Sequence, residues 1–136
     1  MADPGRSRRS QPLPKRGLSA GRCRVFAYGT LLEPGRQKKL FGRRVRPIAA
    51  ILTGWSRVRC VGRYSGVVRR PGAVTQGGIL CLTRPEIKVA DRWEQVPHLY
   101  IRRRLSVGVK HRAGTLRCWT YVPAPGAARK PRPMAN

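Results

Sequence analysis

The stretch Val25-Phe26-Ala27-Tyr28-Gly29-Thr30-Leu31 decides how the rest of the chain is read. Residues Arg24 to Tyr28 form a short, mostly apolar run that ends at a glycine, the pattern of a buried strand. Gly29 then turns the chain. Successive backbone amides at such a turn form a nest that holds an anion, either a carboxylate or a developing oxyanion. The plainer reading of Tyr28, Gly29, Thr30 and Leu31 is an ordinary strand end with a hydroxyl in its turn.

Outward from this point the pattern is mostly β. Ile48 to Val61 is a long β-leaning stretch interrupted by Gly54, which predicts a bulge or bend. Val67-Val68 reads as a minor strand, ended by the turn signal Arg69-Arg70-Pro71-Gly72. Ala73 to Leu82 is another strand, with Gly77-Gly78 permitting close packing or a bulge. Ile101 to Val109 puts Leu105, Val107 and Val109 on one face. Thr115 to Val122 sets Leu116, Cys118 and Thr120 against Arg117, Trp119 and Tyr121. Gly35 to Leu40 suits a helical turn after Pro34.

One main helix stands out. Thr83 and Glu86 have capping-box spacing, Pro85 suits the first turn, and Pro97 limits the far end. The helix is expected over Arg84 to Gln95, with Ile87, Ala90, Asp91 and Glu94 on one face. Many short bent strands with one main helix predict an α+β domain on a small curved sheet or barrel.

The chain has 136 residues, a net charge of +25 and a pI near 11.9. Residues 1–21 and 123–136 are rich in Pro, Gly and basic residues and read as disordered arms, leaving one domain at 22–122. The arms do not explain the charge. Residues 1–22 carry +5 and residues 123–136 carry +3, which leaves +17 on the stretch between. Such a field attracts nucleic acid, anionic surfaces and acidic metabolites weakly and in a salt-sensitive way. The excess of Arg over Lys, 24 to 6, also follows from a GC-rich genome alone. Cys23, Cys60, Cys81 and Cys118 lack metal or redox spacing and read as free thiols of a cytoplasmic protein. His98 and His111 also lack ligand spacing, so no metal or cofactor is expected. No apolar run is long enough to span a membrane.

The chain has only five acids, and two of them, Asp91 and Glu94, share one face of the main helix. Glu94 falls in the last turn, where outward-pointing carbonyls disfavour a negative charge. Partial burial beside Trp93 would raise its pKa and suit it to moving protons near neutral pH. By pattern alone the plainer reading is a solvated acid or a partner for a nearby arginine. Asp91 reads as a partner for Arg102 or a backbone donor. Tyr100 and Tyr121 suit either a pocket or the core. Arg102-Arg103-Arg104 in a strand must point to alternate faces and is no single phosphate clamp.

Taken together, the motifs resemble the γ-glutamylcyclotransferase-like family, including its avirulence-induced-gene-like branch. The resemblance covers roughly Arg24 to Val122. It rests on Tyr28-Gly29-Thr30-Leu31, Leu52-Thr53-Gly54-Trp55, Gly77-Gly78-Ile79-Leu80, Asp91 with Glu94, Tyr100 with Arg102, and Tyr121-Val122. It implies a small mixed β-barrel with flanking helices and a central cavity. It also implies that the amides around Tyr28, Gly29, Thr30 and Leu31 hold the α-carboxylate end of a γ-glutamyl amide. Glu94 would then be the general base and acid, with Tyr100 lining the cavity and Tyr121 serving only as a strand residue. The implied reaction needs no cofactor, because the substrate's own α-amine closes a five-membered ring and releases 5-oxoproline. Three positions depart from the family pattern: Gln95 where glycine often follows the glutamate, Trp93 for Tyr or Phe, and Tyr64-Ser65 for Tyr-Pro. Two other readings stay open. One is an inactive family fold that binds nucleic acid through its basic surface, and the other is a γ-glutamyl transferase.

Overall fold

Val25 and Phe26 are both fully buried, although neighbouring side chains in a strand point to opposite faces. The strand that carries them must therefore lie between two apolar layers. The computed structural model, which describes residues 22–59, 65–125 and 132–133, shows how. The first strand, β1 (Arg22–Ala27), pairs antiparallel with β3 (Ser65–Thr83) and parallel with β5 (Thr115–Pro123). β5 pairs with β4 (Tyr100–Val109), β4 with β2 (Ile48–Arg59), and β2 returns to β3. Five strands thus close a ring of mixed sense.

Alternation sorts the side chains to the two sides of this ring. Phe26, Leu52, Ile79, Leu105, Val107, Val109 and Cys118 fill the inside. Val25, Leu80, Leu82 and Tyr121 face outward and are covered by Ile87 and Ala90 of a helix. That helix, α2 (Arg84–Trp93), starts at the predicted capping box. The Thr83 side chain accepts from the Glu86 amide, and the Glu86 carboxylate accepts from the Thr83 amide. Arg43 adds an ion pair to Glu86 at 2.7 Å, which holds the carboxyl below its ordinary pKa.

The structure corrects several expectations. Pro34–Phe41 is a full helix, α1, not a single turn, so two helices flank the ring. It is fastened by Gln37, which is buried and spans two backbone groups. Gln37 Nε2 donates to the Leu31 carbonyl and its Oε1 accepts from the Val45 amide, both at 2.8 Å. Arg69-Arg70-Pro71-Gly72 does not end a strand. β3 continues through it for 19 residues, and the pairing with β2 shifts register between Thr53 and Trp55. Arg70, Pro71, Gly72 and Ala73 lie opposite the single residue Gly54, at φ 89°, so the extra residues bulge from β3 and both strands bend there. Pro123 ends β5, Ala124 is buried and donates to the Leu99 carbonyl, and Arg132–Pro133 (β6) pairs with β2. The expected N-terminal arm, Cys60 and Tyr64 lie outside the described residues. Cys23, Cys81 and Cys118 are free thiols, with burial pushing the Cys118 thiol up to about 11.

Gly77 of β3 packs against β1 with no room for a side chain. A Cβ there would sit 2.2 Å from the Ala27 carbonyl oxygen and 2.8 Å from Phe26 Cζ. Gly77→Ala is expected to destabilise the fold by about 1–3 kcal/mol in urea titration, because two core strands must separate. Gly35 in α1 has open space around its Cα, and Gly35→Ala should be neutral or stabilising by about 0.5–1 kcal/mol.

Candidate active site

The site is built at one end of the ring, where β1 runs out. After Tyr28 the chain turns at Gly29 into a single 3-10 turn, Thr30–Leu32. The Leu32 amide donates to the Gly29 carbonyl and the Glu33 amide to the Thr30 carbonyl, both at 3.0 Å. Thr30 and Leu31 open this turn, so helical geometry leaves their amides without an acceptor inside it. Gln37 holds the turn from behind through the Leu31 carbonyl.

The opposite wall is the C-terminus of α2. The helix stops at Trp93, two residues before the expected end. The cause is Gln95, which takes the left-handed conformation at φ 54°. The Gln95 amide donates to the Arg92 carbonyl at 3.1 Å and the Val96 amide to the Asp91 carbonyl at 3.0 Å. This is the Schellman closure that glycine usually makes. It leaves Glu94 as the capping residue, turned off the helix axis toward the Gly29 turn.

Asp91 ties this helix end to the ring. Its carboxylate takes both Arg102 donors, Nε at 2.8 Å and Nη2 at 3.2 Å, and the Tyr121 hydroxyl at 2.7 Å. Tyr28 in turn donates to the Tyr121 carbonyl at 2.6 Å. The Gly29 turn, β5, α2 and β4 are thus linked in one hydrogen-bonded series. Arg102 and Arg104 also lie over the Trp119 ring, at 4.6 and 5.0 Å, while Arg103 faces Trp55. The alternation expected of the triple arginine is present.

Between the two walls is a cavity of about 330 Å³, within the size range of small-molecule sites. Tyr28, Gly29, Thr30, Leu31, Glu94 and Tyr100 all line it. Tyr121 lines it too, so its place is not confined to the strand. Phe26, Ala27, Ser65, Trp93, Gln95 and Leu99 complete the lining, and of these the sequence pointed only to Trp93, as the neighbour that helps bury Glu94. The Tyr100 hydroxyl donates to the Ser65 carbonyl, which closes one side.

The electrostatics of the cavity turn on Glu94. Among the described residues Glu86 and Asp91 are ion-paired and Glu33 is exposed. Glu94 is half-buried and has no cationic partner among them. Burial pushes its pKa from 4.5 to about 7. Its position at the carbonyl end of α2 acts in the same sense. Burial, followed by the hydrogen bond to Asp91, raises the Tyr121 hydroxyl far above its ordinary range, so it stays a neutral donor.

A ring of five strands, two flanking helices and an end cavity holding a carboxyl poised near neutrality define a small-molecule acid–base pocket. The chain belongs to the family described as "Gamma-glutamyl cyclotransferase, AIG2-like", which matches residues 25–135. Among curated proteins, none matches the chain at a significant level. Solved structures share its fold. One Arabidopsis thaliana protein solved in solution is 24% identical with a TM-score of 0.68, covering 76% of this chain and 63% of its own length. The chain therefore spans less than two thirds of that relative. A second Arabidopsis protein is 23% identical with a TM-score of 0.73, covering 84% and 76%. A structure named gamma-glutamyl cyclotransferase is 16% identical with a TM-score of 0.66, covering 76% and 67%.

Two stability outcomes follow. Asp91→Ala strands Arg102 and the Tyr121 hydroxyl, and is expected to cost about 2–3 kcal/mol in denaturant titration. Glu94 acts in the opposite direction. A carboxyl with a raised folded pKa contributes stability that is complete below about pH 4.5 and is lost as pH rises through about 7. Glu94→Gln carries no charge to bury, so above pH 7 it should exceed wild type by roughly 1–3 kcal/mol. The gap should close toward pH 4.5.

Proposed function

We propose that the protein is a γ-glutamyl-amide cyclotransferase, with Glu94 as the group that moves the proton. The observation that carries this reading is the pairing, in one cavity, of a carboxyl with a pKa near 7 and the amides of the Gly29 turn. The family and the likeness to a structure named gamma-glutamyl cyclotransferase support it.

The chemistry suits these parts. The α-carboxylate of the glutamyl group docks on the amides of Gly29, Thr30 and Leu31. This folds the short chain so that the α-amine meets its own γ-carbonyl, and proximity supplies most of the acceleration. Glu94, ionised in the free protein above its pKa, takes a proton from the α-ammonium. The freed amine attacks the γ-carbon, and a carbon–nitrogen bond forms as the carbonyl becomes an oxyanion. Glu94 then gives its proton to the departing nitrogen as the oxyanion collapses and the amide bond breaks, and the ring nitrogen loses its remaining extra proton to water. The products are 5-oxoproline and the free amine, and no atom passes to the protein. A pKa near 7 serves both halves of this exchange, since the group must accept and then release one proton. Tyr100 and Tyr121 wall the cavity, and the neutral Tyr121 hydroxyl adds no charge to compete with the carboxylate.

The test is 5-oxoproline release from a panel of γ-glutamyl amides. Wild type should release it, with kcat/KM rising with pH through about 7 as Glu94 ionises. Glu94→Gln should fall by about 10²–10⁴-fold while remaining folded. Release that survives the substitution would remove Glu94 from the mechanism. Transfer of the glutamyl group to another amine without 5-oxoproline would favour a transferase, and no turnover at all a binding protein.

A further inference from the structure

Gln95 is a bulky residue held at φ 54°, a conformation that side chains other than glycine rarely adopt. The backbone path does not depend on its side chain. Its amide donates to Arg92, its carbonyl accepts from His98 and Leu99 at 2.8 Å, and Val96 closes on Asp91. Glycine would follow the same path with less strain. The other non-glycine residue at positive φ among those described, His111, lies in the exposed turn between β4 and β5, away from the cavity. Gln95 is different because it lines the cavity, directly beside Glu94. Its side-chain amide makes no hydrogen bond to any described residue and is exposed. Strain kept at a site and unused by the fold is a mark of function.

The neighbouring residue narrows that function. Trp93 is 38% exposed on the cavity rim, and the Arg36 guanidinium lies 4.3 Å from its ring centroid. Arg36 fixes the indole from α1, so the rim at this point is rigid. Trp93, Glu94 and Gln95 therefore present, in sequence, a flat apolar wall, the proton carrier and an amide donor and acceptor. The nitrogen that receives the proton from Glu94 belongs to the departing amine, so the groups flanking Glu94 face that part of the substrate.

We infer that Gln95 is a specificity-determining residue that hydrogen-bonds the departing amine, favouring amines with a polar amide or carbonyl group close to the nitrogen over alkylamines. This rests on the cyclotransferase reading and adds to it the side of the substrate that the Gly29 turn does not touch. The experiment compares γ-glutamyl-glycinamide with γ-glutamyl-propylamide, which match in length and differ in hydrogen-bonding capacity. Release of 5-oxoproline is measured for wild type, Gln95→Gly and Gln95→Met. Wild type should favour the glycinamide, and both substitutions should lower the kcat/KM ratio of the two substrates about 10-fold, the share of one hydrogen bond. The methionine keeps length and removes the amide, so it stands even if the glycine variant alters the helix end. The pH dependence should keep its midpoint in both. Gln95→Gly should also melt several degrees higher than wild type. An unchanged ratio in either variant, or equal losses on the two substrates, overturns the assignment. If wild type releases nothing from either substrate, the cyclotransferase reading falls and this inference falls with it.

Discussion

The carboxylate of Asp91 is the junction on which the site depends. It receives two donors from Arg102 and one from Tyr121, and the Tyr121 carbonyl receives the Tyr28 hydroxyl. Each of these residues belongs to a different element. Asp91 also accepts the Val96 amide through its backbone carbonyl, so the same residue closes the helix and anchors it. Glu94 lies one turn further on. Its direction relative to the Gly29 turn follows from this junction and from the buried amide of Gln37 on the other wall. Neither wall of the cavity is positioned by its own local propensity. Both are clamped from the side away from the substrate.

This arrangement explains a contrast in the charge pattern. The chain carries +25, yet one of its few acids sits in the cavity without a cation among the described residues. An arginine beside Glu94 would hold it ionised at every physiological pH, as Arg43 does for Glu86. The fold instead directs Arg102 to Asp91 and stacks it on Trp119, and it places Arg36 on the face of Trp93. Aromatic faces and a second carboxylate take up the nearby guanidinium groups, and burial acts on Glu94 together with the carbonyl end of α2. The cost is stability at high pH, a familiar consequence of keeping a titratable group where chemistry needs it.

Much of this was legible in local pattern. The 3.6-residue period put Ile87, Ala90, Asp91 and Glu94 on one face, and the structure uses that face for core, junction and cavity in turn. The capping box, the bend at Gly54 and the alternation of Leu105, Val107 and Val109 were likewise local signals with local causes. What escaped was non-local. Gln37 reads as a polar helix residue until the Leu31 carbonyl and Val45 amide are brought beside it. Pro71-Gly72 reads as a turn until the pairing of β3 with β2 shows it as a bulge within β3, opposite Gly54. Tyr121 had the right alternation, but only its register against β4 and the approach of α2 put its hydroxyl on Asp91. The helix ended early because a glutamine takes a glycine's conformation at position 95. Closure of the ring, through β2 pairing with both β3 and β4, has no sequence signature at all.

The central claim is that Glu94 is a carboxyl held near neutrality by burial and not by a charged neighbour. The most direct measurement is a carbon-13 NMR titration of protein labelled at the glutamate side-chain carboxyl, with Glu94→Gln used for assignment. The account predicts one resonance, absent from the variant, that titrates near 7, while the Glu86 resonance titrates below its ordinary range. A Glu94 resonance titrating near 4.5 would contradict the account, because a carboxyl solvated to that degree is not enclosed with the Gly29 turn.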